Sequence, residues 1–209
     1  MKKSLVLMLT ILLAASLFAG CGQGGGTTSD AILYYACGSE PYLTLDPSVE
    51  NSNGVCVLQN VYETLTRYND QTGEVEPCLA TSWTHSDDGT VWDFTLREDV
   101  TFHDGTKMNA NAVKKSIERT IGLGKGAAYI WANVETIEVV SDYVVRFTCS
   151  ASTSVDLITS AAYAAYIMSE SACDQESDWF NNEEGNDGGS GPYTVKSLSL
   201  IHISEPTRP

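Results

Sequence analysis

Asn60-Val61-Tyr62-Glu63-Thr64-Leu65-Thr66-Arg67-Tyr68 opens the stretch that decides the fold, and Val113-Lys114-Lys115-Ser116-Ile117-Glu118-Arg119 closes it. Between them stand Leu79-Ala80-Thr81-Ser82-Trp83, Asp87-Asp88-Gly89, Trp92-Asp93-Phe94-Thr95-Leu96-Arg97 and Val100-Thr101-Phe102-His103-Asp104-Gly105-Thr106. Trp92, Phe94 and Leu96 alternate with Asp93 and Thr95, the two-residue period of a half-buried strand. Asp87-Asp88-Gly89 is the turn before it, with a glycine free to take positive φ. Val100 and Phe102 carry the alternation on after a short break, and His103-Asp104-Gly105-Thr106 turns the chain again. Asn109 can accept hydrogen bonds from the first free amides of a helix, so it predicts an N-cap for a helix from Ala110 to about Leu123. Val113, Ile117 and Ile121, four residues apart, make that helix's buried stripe. No catalytic group dominates the stretch, which reads as a recognition scaffold.

Working outward towards the N-terminus, Val55, Leu58, Val61/Tyr62, Leu65 and Tyr68 recur at three- and four-residue steps and predict one apolar helix face opening after Asn53-Gly54. Asn69 to Gly73 is a turn by composition. Leu45-Asp46-Pro47 marks another, and Ala31 to Cys37 reads as a short buried strand. Towards the C-terminus, residues 122–126 break the chain. Val134 to Cys149 predicts a hairpin turning at Ser141-Asp142, with Tyr143, Val145, Phe147 and Cys149 facing one way. Ser154 starts a helix carrying Val155, Leu157, Ile158 and Ala162, with Tyr163, Tyr166, Ile167 and Met168 buried at its end. Asp174 to Gly189 is acidic and polar and reads as a surface loop. The chain then turns through Gly189-Ser190-Gly191-Pro192-Tyr193-Thr194-Val195 into a strand.

The first twenty residues form a targeting segment: Lys2 and Lys3 give the positive start, and Leu5 to Leu13 give an apolar run shorter than the ~20 residues a membrane span needs. Leu17-Phe18-Ala19-Gly20-Cys21 resembles a bacterial lipobox, which makes Cys21 the lipidated N-terminus after cleavage. Phe18 stands where leucine is usual, and the alternative is an ordinary secretory signal cut near Ala19. The glycine-rich residues 21–30 suit a tether. The net charge of −15 among 209 residues argues against nucleic-acid or anionic-membrane surfaces. With Cys21 lipidated, Cys37, Cys56, Cys78, Cys149 and Cys173 are an odd set without a CxxC pair, so zinc is not expected and any disulfide pairing stays open. Residues 198–209 resemble the translation of a sequencing-library adapter and are set aside as non-native.

From Thr44-Leu45-Asp46-Pro47 through Asn60 to Arg119, and again at Gly189-Ser190-Gly191-Pro192-Tyr193, the sequence resembles the family 5 extracellular solute-binding lipoproteins of ABC importers. Order and spacing hold over roughly Ala31 to Lys196. The helix start Asn109-Ala110-Asn111-Ala112 departs by lacking the usual acidic residues, a difference worth only ~0.3–1 kcal/mol. The resemblance implies an α/β, periplasmic-binding-protein-like fold of type II, a two-lobed clamp. Residues 31–197 would be the N-terminal part of the first lobe, and family members are more than twice as long. It implies a monomeric, non-enzymatic receptor with no cofactor and no resident metal. Such a receptor would capture oligopeptides or dipeptides and hand them to permease subunits at the membrane. The same fold binding nickel, haem or an oligosaccharide is the alternative within the family. A secreted hydrolase whose catalytic part follows is the alternative from another class.

In α/β proteins ligands sit beyond strand C-terminal ends, so the loop after residues 31–37 points to Ser39, Glu40, Pro41 and Tyr42 as cleft-lining residues. Trp131 is a further candidate, by stacking on a ligand, against the alternative of a buried aromatic. His103-Asp104 has the residue types of a metal pair or acid–base dyad; within the resemblance it is a turn whose histidine bonds the backbone. No Gly-x-Ser-x-Gly, His-Glu-x-x-His, Walker-type or dinucleotide motif occurs. The acidic run of residues 174–187 lacks EF-hand ligand spacing.

Overall fold

The computed structural model describes residues 44–181 and 186–196. The predicted strand at residues 31–37, the leader, the tether, the loop of residues 39–42 and the adapter-like residues 198–209 lie outside them. So do Cys21 and Cys37.

The elements are α1 (Val55–Val61), a two-stranded antiparallel hairpin of β1 (Thr66–Asn69) and β2 (Glu74–Pro77), then β3 (Ala80–His85) and β4 (Val91–Leu96). They continue with α2 (Ala110–Leu123), a 3-10 turn at Ala128–Trp131, β5 (Val134–Ser141) and β6 (Val144–Cys149). Two single-turn helices, α3 (Val155–Ile158) and α4 (Glu170–Cys173), and a 3-10 turn at Ser177–Asn181 follow. The main sheet has the order β3-β4-β6-β5, with every neighbouring pair antiparallel.

β4 forms as its alternation predicts: Trp92, Phe94 and Leu96 are buried, Asp93 and Thr95 are not. In β6 Val145, Phe147 and Cys149 join the same face. Phe94 meets Phe147 edge-on at 5.6 Å, and Trp131 lies over Phe147 at 6.0 Å between ring centroids. On the other face, Arg146 on β6 makes a two-pronged pair with Asp93 on β4 at 2.7 Å. α2 closes the apolar face along β5 and β6. Its limits match the prediction, and the Asn109 side chain accepts the Ala112 amide at 2.9 Å. The helix ends at Gly124, which takes the left-handed conformation at φ 58°.

Six expectations change. The face predicted through Tyr68 breaks after Val61: Tyr62 is extended, Leu65 is buried in a connecting strand-like segment, and Tyr68 is 49% exposed on β1. Pairing won over helical spacing, because Leu65 accepts the Ala80 amide at 2.8 Å and Glu63 bridges to Ile167. Ile121 is half exposed, and the buried stripe of α2 instead runs through Ala110, Ala112, Val113, Ser116, Ile117 and Thr120. Steps of four advance ~40° each on a helix, so the third member of a 113–117–121 series has rotated ~80° from the first. α3 stops at Ile158, so Tyr163 is exposed while Tyr166, Ile167 and Met168 are buried in extended backbone. Val100 and Phe102 are buried beside an isolated Thr101–Lys107 bridge and do not extend β4. The acidic segment also departs from a plain surface loop, because it buries Phe180 and the side chain of Asp187. Residues 186–196 are ordered along α1 without forming a strand.

Candidate functional site

Two polar clusters anchor the segments that flank the scaffold, one where the chain enters at Thr44 and one at residues 187–195. At the first, Asp46 is fully buried and pairs with Arg119 of α2 through two bonds of 2.7 and 2.8 Å. The Ser177 hydroxyl donates to the same carboxylate at 2.6 Å, and the Ser48 amide donates at 2.9 Å. Arg119 also donates to the Gln175 carbonyl at 3.0 Å and lies 5.2 Å over the Phe180 ring. Asn181 takes the Leu45 amide at 2.7 Å. Glu50, nearly buried, gathers the Ser52 amide and hydroxyl at 2.5 Å each and the Gly54 amide at 3.3 Å. The loop of residues 44–54 is therefore held by charge-assisted bonds, the stronger kind. The Ser48 hydroxyl is the buried side-chain atom left without a partner among the described residues.

At the second cluster, both ring nitrogens of His103 are engaged: Nδ1 with Asp187 and Nε2 with the Gly191 carbonyl at 2.8 Å. The Asp187 bond raises the His103 pKa above the ordinary imidazole value, outweighing burial, which lowers it. Ser190 donates to Glu63 at 2.9 Å, and the Gly191 amide donates to the Val61 carbonyl at 2.9 Å. A Cβ at Gly189 would stand 2.0 Å from the Val61 oxygen, so only glycine lets the segment pass this close to α1. Burial holds the neighbouring Tyr62 phenol well above its usual range, and Asp187 acts in the same direction. For Asp104, burial works upward, but bonds from the Thr106 and Ser171 hydroxyls outweigh it and bring the carboxyl to about 2.

Of the residues predicted from sequence to line a cleft, Ser39, Glu40, Pro41 and Tyr42 lie outside the described residues, two positions or more before the anchored Thr44. Trp131 is 1% exposed, and its indole N–H donates to the Ala164 carbonyl at 2.7 Å. Its ring packs on Phe147, so it belongs to the core. His103 bonds backbone, as the turn reading holds, and also Asp187, which spacing could not reveal across 84 positions. With both nitrogens spent on the fold, it has none to serve as a base towards a substrate. His85 lies exposed against Trp92. Among the described residues no group of three or more His, Cys, Asp or Glu is placed to hold a metal. Burial raises the thiols of Cys149 and Cys173, the opposite of an activated nucleophile. Two open grooves of about 460 and 470 Å³ lie between α2 and β5 and beside Asn109 and Glu170.

This arrangement, a twisted antiparallel sheet closed by one helix with the flanking segments pinned to it, is part of the type II periplasmic-binding-protein fold. A mannopinic acid complex of the binding protein MoaA from A. tumefaciens R10 superposes with a TM-score of 0.68 at 26% identity, covering 77% of this chain and 34% of that one. Residues 74–201 match the bacterial extracellular solute-binding proteins, family 5 Middle. The chain belongs to that family. It is 33% identical over 180 residues to the probable D,D-dipeptide-binding periplasmic protein DdpA of Escherichia coli K12, covering 79% of this chain and 34% of DdpA. It is 40% identical over 77 residues to the nickel-binding periplasmic protein of the same organism, covering 37% of this chain and 14% of the relative. The chain thus spans about a third of the length of DdpA and less of the nickel-binding protein.

Proposed function

We propose that this protein is the capture subunit of an ABC importer for short peptides, exported and tethered to the membrane through Cys21. The observation that carries the peptide reading is the 33% identity to a D,D-dipeptide-binding protein over 79% of this chain. Residues 31–197 are then the N-terminal part of a two-lobed clamp, and Ser39, Glu40, Pro41 and Tyr42 contribute to its cleft from one side. The pinned segments on either side of the scaffold support this reading, since a clamp needs its lobe to move as a unit. A lobe closing on a peptide excludes water, which strengthens each hydrogen bond to the ligand. The receptor works as a monomer without cofactor, and the permease subunits supply the transport step.

The test uses protein expressed from the uninterrupted gene. Native mass spectrometry with a mixture of dipeptides, tripeptides, glutathione and nickel should show a peptide retained intact. Retention of nickel alone would move the proposal to the metal-binding branch of the family, and release of cleaved products would overturn the receptor reading. Replacing Cys21 by Ser should move the protein from the membrane fraction to the soluble one; unchanged membrane association would refute the lipid tether.

A further inference from the structure

We infer that His103 is a doubly protonated clamp that ties residues 187–195 to the Thr101–Lys107 turn, and that this tie loosens as the pH rises above neutral. The argument starts from the acceptors around the ring. Nε2 faces the Gly191 carbonyl at 2.8 Å, and a carbonyl can only accept. Nδ1 faces Asp187, whose carboxylate already takes the Gly189 amide at 3.1 Å on one oxygen and the Val195 amide at 2.9 Å on the other. Both of its oxygens thus already accept from backbone amides, and the side facing Nδ1 offers an acceptor as well. A neutral imidazole has one N–H and one lone pair, so it would turn a lone pair towards one of these acceptors. The imidazolium, with two N–H groups, satisfies both.

The clamp also grips a third point. The His103 amide donates to the Gly189 carbonyl at 2.8 Å. One residue therefore holds Asp187, Gly189 and Gly191, while the Val61 end of α1 presses on the same glycines from the opposite side. The charged groups acting on the ring, Asp187 and Asp104, both favour the cation. Asp187 faces the ring directly, and Asp104 is the next residue on the same turn. From the α1 side come the buried Tyr62 phenol, near Asp187, and Glu63, which takes the Ser190 hydroxyl. The bond to Asp187 raises the proton affinity of the ring. The sign follows from linkage: the folded state holds this proton more tightly than the unfolded chain. The tie is therefore complete below the ordinary histidine value of about 6.5 and is lost as the pH rises through the higher folded value.

The full chain labelled with ¹⁵N tests this. Long-range ¹⁵N–¹H spectra at pH 7 should show both His103 ring nitrogens in the protonated range. Amide exchange of Gly189, Gly191 and Val195, corrected for the intrinsic rate, should lose protection together as the pH rises through the His103 titration. In His103→Gln the same amides should be less protected and insensitive to pH over that range. A His103 ring carrying one proton at pH 7, or wild-type protection that stays flat to pH 9, would overturn the inference. The ring-nitrogen measurement needs no variant and decides the matter even if His103→Gln does not fold.

Discussion

Replacing Arg119 by Met should cost this scaffold far more stability than breaking any of its exposed ion pairs. The Asp46 side chain is 0% exposed and Arg119 9%, so the pair is out of water. Met keeps most of the stem volume, and what it removes is the counter-charge with its two bonds to Asp46 and one to the Gln175 carbonyl. The Ser177 hydroxyl and Ser48 amide remain as donors to the stranded carboxylate. Leaving a buried charge uncompensated costs about 3–5 kcal/mol, far above the ~0–1 kcal/mol of a surface pair. At roughly 2–4 °C per kcal/mol for a domain of this size, Tm should fall by about 6–20 °C. Urea unfolding followed by tryptophan fluorescence gives the free energy directly. The diagnostic control is Asp46→Asn with Arg119→Met. Removing the negative charge as well leaves neutral groups that Ser177 and Ser48 can still bond, so the double variant should be more stable than the sum of the singles by about 2 kcal/mol or more. A loss below about 1 kcal/mol for Arg119→Met, or strictly additive singles, would refute the reasoning.

Three further changes probe the scaffold. Gly189→Ala places a Cβ 2.0 Å from the Val61 oxygen and should cost about 1–3 kcal/mol in urea unfolding; a neutral result would mean the segment does not lie against α1. Asn109→Ala removes the side-chain acceptor of the Ala112 amide and should lower stability by about 1 kcal/mol, which Asn109→Asp should largely restore. Trp131→Phe keeps a ring over Phe147 but leaves the buried Ala164 carbonyl unpaired, for a loss of about 1–3 kcal/mol; an increase in stability would show that the indole bond carries none of the packing.

Local rules that the chain obeys were legible in its sequence. The alternation of Trp92, Phe94 and Leu96 and the Asn109 cap each depend on neighbours a few residues away, and the structure bears them out. The hairpin of β5 and β6 was legible for the same reason. The β1–β2 hairpin and β3 were not assigned, although Asn69 to Gly73 read as a turn. β3 shows why: its exposure pattern has one buried residue at Ala80 and no clean alternation, because it is the edge of the sheet. Likewise Leu65 and Tyr68 kept helical spacing while the chain's long-range pairing drew them into strand-like backbone.

The polar clusters show the same limit from the other side. Asp46 with Arg119 spans 73 positions and His103 with Asp187 spans 84. Each half is an unremarkable residue in a turn, a helix or an acidic loop until the fold brings the two together. Once joined, they spend their hydrogen bonds on the scaffold itself. Glu50 gathers its own loop, Glu63 takes Ser190, and Arg119 is divided among Asp46, Gln175 and Phe180. A group whose donors and acceptors are satisfied internally has little left to recognise a solute. The described body is thus a frame that fixes where its flanking segments stand, and under the proposed function solute choice falls to side chains outside it, Ser39, Glu40, Pro41 and Tyr42 among them.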